Sequence, residues 1–293
     1  LFAPMESYTA KRWFMDFDEI DWNRLWQEGR RRQSWKSKKG TDWDRRAVSY
    51  ARRDHSAFVT KLFAIMRPEA DWTVLEVGSG PGTVALPLAC HVRRVTAVDF
   101  SEQMLVELQR QAAREGIENI ETRQLAWEED WLEAGIASHQ VTLSCRSLTP
   151  EDLRGAIEKL NRWAERRVFI VDRVGAGPHD PDLFAAIGRE FVSGPDYIYT
   201  YNLLYQMGIY ARVDFITLYG GKTYGSREEA TDSCRWTLGG LNPAEEEKLE
   251  RFLAERLTPL ANGSWLLRRR LPPSWAVLWW EKRPHEKDHA AGL

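Results

Sequence analysis

Residues 74–89 read VLEVGSGPGTVALPLA, an apolar run that passes through three closely spaced glycines into a second apolar stretch. The order is that of a buried strand, a tight turn and a helix. Gly78, Gly80 and Gly82 let the backbone turn sharply and approach a ligand where a side chain would collide. The N-terminus of the following helix suits a carboxylate or a phosphate. A dinucleotide fingerprint, G-x-G-x-x-G, requires Gly or Ala at position 83, where this chain has Thr83, and the glycines fall as G-x-G-x-G. That spacing disfavours a nicotinamide or a flavin.

Around this segment, short apolar runs alternate with helical stretches: TVLEV (73–77), VTAVD (95–99), NIETR (119–123), QVTLSC (140–145) and VFIVD (168–172). ARVDFITLY (211–219) and WAVLWWE (275–281) add two strand candidates. The alternation predicts an α/β fold, doubly wound, with a mostly parallel sheet of about seven strands and helices on both faces. Helix starts are marked by Ser101, by TPED at 149–152 with a proline at the first helical position, and by the capped starts SREE (226–229) and NPAE (242–245).

Over 19–67 the apolar positions recur at three and four, which predicts two or three helices, with Gly40 at a break and a capping box at 41–44. Residues 1–67 therefore read as an N-terminal helical lid and 68–293 as the main domain, with 222–272 inserted on the substrate side before the last strand. Residues 1–4, ahead of Met5, are set aside as an expression remnant, and the tail from Lys282 is expected to fray. Five of the 14 tryptophans (Trp13, Trp22, Trp26, Trp35, Trp43) fall in the first 43 residues. They are expected to fill a core between lid and domain, with an aromatic substrate wall as the other reading.

The 41 basic and 43 acidic residues nearly balance, so the whole chain has no electrostatic preference for nucleic acid or membrane. Cys90, Cys145 and Cys234 are widely spaced and odd in number, which fits neither a disulfide framework nor a zinc site, and no metal is expected. There is no apolar run of the roughly 18 residues that a membrane span needs, nor a basic-then-apolar leader. A cytoplasmic protein without membrane association is expected.

In its glycine segment the chain resembles the class I, Rossmann-like S-adenosylmethionine-dependent methyltransferases, whose first motif, acidic-x-G-x-G-x-G, is matched by Glu76-Val-Gly78-Ser79-Gly80-Pro-Gly82. The resemblance implies that this turn wraps the amino-acid end of S-adenosylmethionine and that Glu76 supports the turn and the cofactor ammonium. It also implies a ribose role for Asp99 at the end of the second strand, where two carboxylate oxygens can accept both hydroxyls. Phe100 and Met104 match positions that flank the adenine, and Ala126 and Trp127 stand where the family meets the adenine edge and face. Cys145 lies at the cofactor side of the fourth strand. That strand begins His139-Gln140, where the family normally has an aspartate, so no catalytic role is borrowed for it. The match covers about 41–175, four elements in order.

Methyl transfer from a sulfonium is an in-line displacement, so positioning and exclusion of water matter more than any one catalytic group. Candidates on the acceptor side are Tyr50, Arg146 and His179, then Cys145, Ser147, Asp172, Arg173 and the tyrosines of 197–210; His179, in the Gly/Pro-rich stretch 175–182, reads as a solvated loop histidine, with a general base as the other reading. Ser144 precedes Cys145 where a cytosine methylator would have proline, and SCRS is not the Asn/Asp-Pro-Pro-aromatic run of the amino-methylating nucleic-acid enzymes. Arg30, Arg31, Arg32, Lys36, Lys38, Lys39, Arg45, Arg46, Arg52 and Arg53 form a basic stretch that fits either a phosphate backbone or a small anion. The leading expectation is a methyltransferase acting on a small molecule in a closed pocket formed by 19–67 and 177–225. An RNA or protein methyltransferase with an open basic groove is the alternative, and a non-catalytic S-adenosylmethionine-binding protein is the third reading.

Overall fold

The computed structural model describes residues 17–35 and 38–282. The expectations for Trp13, Lys36, residues 1–4 and the tail beyond Lys282 lie outside them. After a 3-10 turn come helices α1 (Trp22–Arg32), α2 (Gly40–Asp44), α3 (Ala47–Ala51) and α4 (Ser56–Met66). The alternating region follows: β1 (Thr73–Val77), α5 (Ala85–Ala89), β2 (Arg94–Asp99), α6 (Glu102–Glu115), β3 (Ile120–Gln124), β4 (His139–Cys145), α7 (Leu153–Trp163) and β5 (Ala164–Arg173). Then come α8 (Pro181–Ala186), α9 (Tyr197–Gln206), β6 (Arg212–Thr217), β7 (Lys222–Tyr224), α10 (Arg227–Leu238), α11 (Pro243–Arg256), β8 (Leu257–Pro259), β9 (Trp265–Leu267) and β10 (Ser274–Glu281).

Seven strands form one sheet in the order β3-β2-β1-β4-β5-β10-β6, with β10 antiparallel to both its neighbours and the other pairs parallel. Helices cover both faces of β1 and β4, so the interior strands are mostly apolar, whereas edge strand β3 carries IETRQ. Strand order reverses between β1 and β4, and in open α/β sheets ligands bind beyond the carboxyl ends at such a point. The glycine turn leaves β1 there.

The N-terminal helices straddle that edge. Trp26 of α1 packs with Leu75, Val77, Leu203 of α9 and Leu160 of α7 on one face. Phe58, Leu62 and Met66 of α4 pack with Val74, Leu143 and Trp275 on the other. The chain must therefore cross the carboxyl ends of the strands between α1 and α4, and α2 and α3 make the crossing. Four helices stand where two or three were expected, because α2 and α3 have only five residues each, too few to show a period. Gly40 opens α2 rather than preceding it, and Asp42, not Asp44, reaches back to the Lys39 N–H at 3.0 Å.

Helix α7 also starts later than expected, at Leu153 instead of Pro150. Asp152 is the stronger cap: its carboxylate accepts from the Gly155 N–H at 3.1 Å and from the Asn23 amide at 3.0 Å. Pro150 remains outside the helix, and its carbonyl accepts from Trp26 Nε1 at 3.2 Å and Arg30 Nη1 at 3.0 Å. The segment between β6 and β10 forms a three-stranded antiparallel sheet, β7-β9-β8, with α10 and α11 over it. Its core of Leu238, Leu249, Phe252 and Leu253 takes in Leu183, Phe184 and Ile187 from in and just after α8. No helix among the described residues is long and apolar enough to cross a membrane.

Candidate functional site

Gly78, Gly80 and Gly82 all have positive φ, 75°, 55° and 88°, which a side chain would strain. They differ in what surrounds them. A Cβ on Gly78 would overlap the Cβ of Ser147, and one on Gly82 would come within 2.8 Å of Leu86. Around Gly80 nothing lies within 4 Å of that position, so this part of the turn faces open space. The turn is pinned to β2: the N–H groups of Gly78 and Ser79 donate to the Val98 carbonyl at 2.7 and 2.9 Å, and the Gly80 N–H donates to Asp99 Oδ2 at 2.8 Å. The other oxygen of Asp99 accepts from the Ser101 N–H at 2.9 Å. Each oxygen keeps a further lone pair, so a diol can still be held. Burial raises the Asp99 pKa, against the pull of those N–H donors.

Glu76 alternates along β1 with Val74, on the α4 side of the sheet. It is only 2% exposed, and its Oε2 has no hydrogen-bond partner. Burial pushes its pKa up to about 8, although the Arg146 guanidinium and the Ala85 N–H favour the charged form. The Ser79 hydroxyl beside it is also buried without a partner. Orphaned buried polar atoms are costly unless a ligand completes them. A carboxylate oxygen and a hydroxyl at an open glycine turn fit an α-ammonium and its carboxylate, so the residues present suit the amino-acid end of S-adenosylmethionine.

Phe100 follows Asp99 with its ring 41% exposed, next to Gly40 of α2. Met104 is buried on α6. Ala126 and Trp127 are half-buried after β3. Trp127 packs against the core and tilts on Trp131 at 5.7 Å, while its Nε1 donates to the Ser147 carbonyl at 3.1 Å. One indole therefore joins core to rim. Ser147 itself donates to the Val77 carbonyl at 2.6 Å, which fixes the loop after β4 above the glycine turn. His139, at the start of β4 where the family has aspartate, is buried and bonded to Thr96 Oγ1 at 2.8 Å.

The N-terminal helices are fastened at both sides of the sheet edge. Asp44 Oδ1 accepts from Ser101 Oγ at 2.6 Å and from the Gln103 N–H at 3.2 Å, so an α2 carboxylate helps to cap α6. Trp43 meets Trp236 of α10 edge-on at 5.6 Å, and Trp35 stacks on His179 at 3.9 Å. Asp44→Ala should cost about 1 kcal/mol as a lost cap. We expect the melting temperature to fall by about 2–4 °C and amide exchange to quicken in α2 and α3, measured by hydrogen exchange with mass spectrometry.

Of the expected acceptor-side residues, Tyr50 and Arg146 come together and His179 does not take the role foreseen for it. Arg146 follows β4 with φ 61°, its N–H on the Val171 carbonyl at 2.8 Å and its guanidinium 4.4 Å over the Phe58 ring. Tyr50 lies 5.5 Å from His55 and carries the Arg53 guanidinium at 4.9 Å. His179 is neither a solvated loop histidine nor a base: enclosed by Trp35, Arg173 and Arg269, its pKa is pushed down to about 3 by burial and these cations. Cys145 is buried, with its pKa pushed up to about 12 by burial, so it remains a neutral thiol. Asp172 is engaged by Thr200 Oγ1 at 3.1 Å, and Arg173 by the Pro195 carbonyl. Tyr205 and Tyr210 face solvent. Two residues not foreseen here are His55, whose pKa burial and the nearby Arg146 and Arg53 depress to about 3, and Lys222, depressed to about 7 by burial and Arg53. A single sequence carries no signal for either, since Lys222 reaches the site from across the fold. A separate cleft beside Asn161, Tyr210 and Trp279 flanks the amino end of β6, away from the glycine turn.

Residues 74–166 match a family model described as a methyltransferase domain. An uncharacterised protein of Haemophilus influenzae is 34% identical over 245 residues, covering 81% of this chain and 88% of its own length. Among solved structures, the YcgJ protein of Bacillus subtilis aligns with TM-score 0.50 at 18% identity, over 78% of this chain and 99% of that one. A candidate methyltransferase from Bacillus halodurans C-125 aligns with TM-score 0.53 at 15% identity, over 76% and 98%. The two structures speak for the fold. The chain belongs to the class I, Rossmann-like methyltransferases that use S-adenosylmethionine, and the protein is an S-adenosylmethionine-dependent methyltransferase.

Proposed function

We propose that the protein methylates a small molecule held under the lid, with S-adenosylmethionine bound across the glycine turn. When bound, that cofactor supplies an electrophilic methyl on a sulfonium. In this reading the Glu76 carboxylate takes the ammonium, Ser79 and the N–H groups of the turn take the carboxylate, and Asp99 takes the ribose hydroxyls. Phe100, Met104, Ala126 and Trp127 bound the adenine, and Cys145 serves as a neutral wall. Gly78, Gly80 and Gly82 let the backbone come close. Arg146 and Tyr50 face the acceptor; His55 and His179, both with pKa near 3, hold no proton to give and take none at neutral pH.

The observation that carries the small-molecule reading is the fastening of α2 and α3 to α6 on one side and α10 on the other, a roof over the strand ends. The basic stretch does not form an open stripe. Arg31, Arg32 and Arg45 pair with Glu151, Glu28 and Asp42 at the surface. Lys38 and Arg46 turn onto Trp236 at 4.6 and 5.0 Å, and Arg53 onto Tyr50. Six of the ten basic residues are thus paired with an acid or laid on a ring, which leaves few for a row of phosphates.

The test is transfer of labelled methyl from S-adenosylmethionine into cell extract separated into small molecules, RNA and protein. We expect label in the small-molecule fraction, reduced at least tenfold with Asp99→Ala, which removes a charged hydrogen-bonding partner worth about 1.5–3 kcal/mol. Label that appears in RNA or protein would overturn the reading.

A further inference from the structure

Beside the glycine turn lies a concentration of positive charge that the fold leaves unmatched. Arg146 enters from just after β4, Arg46 and Arg53 from either side of α3, and Lys222 from β7 of the inserted sheet. Three separate segments converge, so the cluster is a product of the tertiary fold and not of a charged run. Among the described residues, none of these four has a carboxylate within 4.0 Å, whereas Arg31, Arg32, Arg45 and Arg235 at the surface each do. The acids nearest to the cluster are already committed. Glu229 accepts from the Gly225 N–H at 2.8 Å, Asp232 pairs with Arg235 at 3.6 Å, Asp54 accepts from the Ser56 N–H at 2.8 Å, and Glu76 is held uncharged by burial.

What the cluster does have is aromatic faces. Arg146 lies over Phe58, Arg53 over Tyr50, Arg46 over Trp236, and Lys222 over Tyr224 at 4.7 Å. Each such contact returns less than burying an ion costs, before the repulsion among like charges is counted. Two atoms here confirm the deficit: Arg53 Nε and His55 Nε2 are buried with no hydrogen-bond partner. Lys222 donates to a neutral hydroxyl, Ser233 Oγ at 3.0 Å. Cations brought together from three segments with no carboxylate partner, with an unpartnered Arg53 Nε among them, are the complement of an oxyanion.

We propose that the methyl acceptor is an oxyanion-bearing small molecule, a carboxylate or a phosphate, whose anionic group is held by Arg53, Lys222 and Arg146 and is distinct from the atom that receives the methyl. The assignment rests on the small-molecule reading above. It explains why cations gather at the acceptor side of a site whose donor is itself a sulfonium cation: the anion supplies the countercharge that the protein withholds until both are bound. Lys222, depressed to about 7 by burial and by Arg53, regains its proton when the anion arrives.

Two measurements on the full chain decide it. The first titrates inorganic phosphate and benzoate against chloride at matched ionic strength, following the melting temperature and, in parallel, the calorimetric affinity for S-adenosylhomocysteine. Wild type should show a saturable rise with phosphate or benzoate and none with chloride, and the better of the two probes names the group. Arg53→Gln and Lys222→Gln should each weaken that response about tenfold while the affinity for S-adenosylhomocysteine stays within threefold. Both variants should melt no lower than wild type when ligand-free, since each removes an unpaired buried charge; this separates lost recognition from lost folding. An unsaturable response, or one unchanged in both variants, overturns the assignment. The second measurement passes the labelled small-molecule products over an anion exchanger at neutral pH, where retention is expected and flow-through overturns it. A wild type that fails to bind S-adenosylhomocysteine would sink the cofactor site instead, and the phosphate titration would still decide the cation cluster.

Discussion

Replacing Glu76 by Gln is expected to weaken S-adenosylhomocysteine binding by about 10- to 100-fold and, in the ligand-free protein above neutral pH, to raise the melting temperature. The first effect follows from losing a charged partner for an ammonium, about 1.5–3 kcal/mol in a buried site. The second follows from what the carboxyl endures without its ligand. Its pKa rises from the usual 4.5 to about 8, mainly through burial. Below about pH 4.5 the group is protonated in both the folded and the unfolded chain, so Gln and Glu differ little. Between that pH and about 8 the folded chain keeps a proton that the unfolded chain has lost. Stability then falls as pH rises, by up to about 1.4 kcal/mol per pH unit. Gln has no such slope. Melting curves from pH 4.5 to 8.5 should start together and diverge in favour of the variant, and saturating S-adenosylhomocysteine should reverse their order at the alkaline end. Parallel curves would mean that Glu76 has a partner after all and is not held for a ligand.

The parallel sheet was legible because its strands are buried on both faces, which makes each a mostly apolar run: VLEV, VTAV and VFIV stand out from the charged helices between them. The helix caps were equally plain where the capping side chain is the nearest acceptor, as with Ser101, Ser226 and Asn242. Ahead of α7 three acceptors compete, and the winner, Asp152, is chosen by a contact from Asn23 of α1 that no local rule contains. The small sheet β7-β9-β8 was invisible for a simpler reason: three residues per strand cannot display a period of two.

At the site, the difference between what was readable and what was not is one of sequence distance. Glu76, the glycines and Asp99 lie within 24 residues on two adjacent strands, so their register is fixed by β1 and β2 alone, with Val77 opposite Val98. The acceptor side is assembled from α3, the end of β4, β7 and α10, whose order in space depends on how the chain returns after β6. Arg53 could be read as part of a basic stretch, yet its direction could not: Arg45 turns outward to Asp42 while Arg53, a few residues on, turns inward to Tyr50. His179 shows the opposite error. A Gly/Pro-rich surrounding suggested exposure, and the Trp35 ring that covers the imidazole comes from more than 140 residues away.

Gly78→Ala should be strongly damaging both to the fold and to the cofactor side, and the reason can be divided experimentally. Two costs coincide at this position. Alanine at φ 75° pays about 1–2 kcal/mol for the left-handed backbone, and its Cβ overlaps that of Ser147, which cannot step aside freely. The Ser147 hydroxyl is tied to Val77 O at 2.6 Å and to Ser144 Oγ at 3.1 Å, and its carbonyl receives Trp127 Nε1. Overpacking of this kind adds about 1–3 kcal/mol. Together they predict a fall in melting temperature on the order of 10 °C and a loss of S-adenosylhomocysteine affinity beyond that of Asp99→Ala, because the turn itself is displaced. Ser147→Gly added to Gly78→Ala removes the overlap and leaves the backbone term. The double variant should therefore recover a part of the melting temperature, more than the sum of the two single effects allows, a coupling expected only of side chains in contact. Additive effects would show that the turn and the loop after β4 do not touch as they do here. In that case the route by which Trp127 and Ser147 join the core to the cofactor side would have to be abandoned as well.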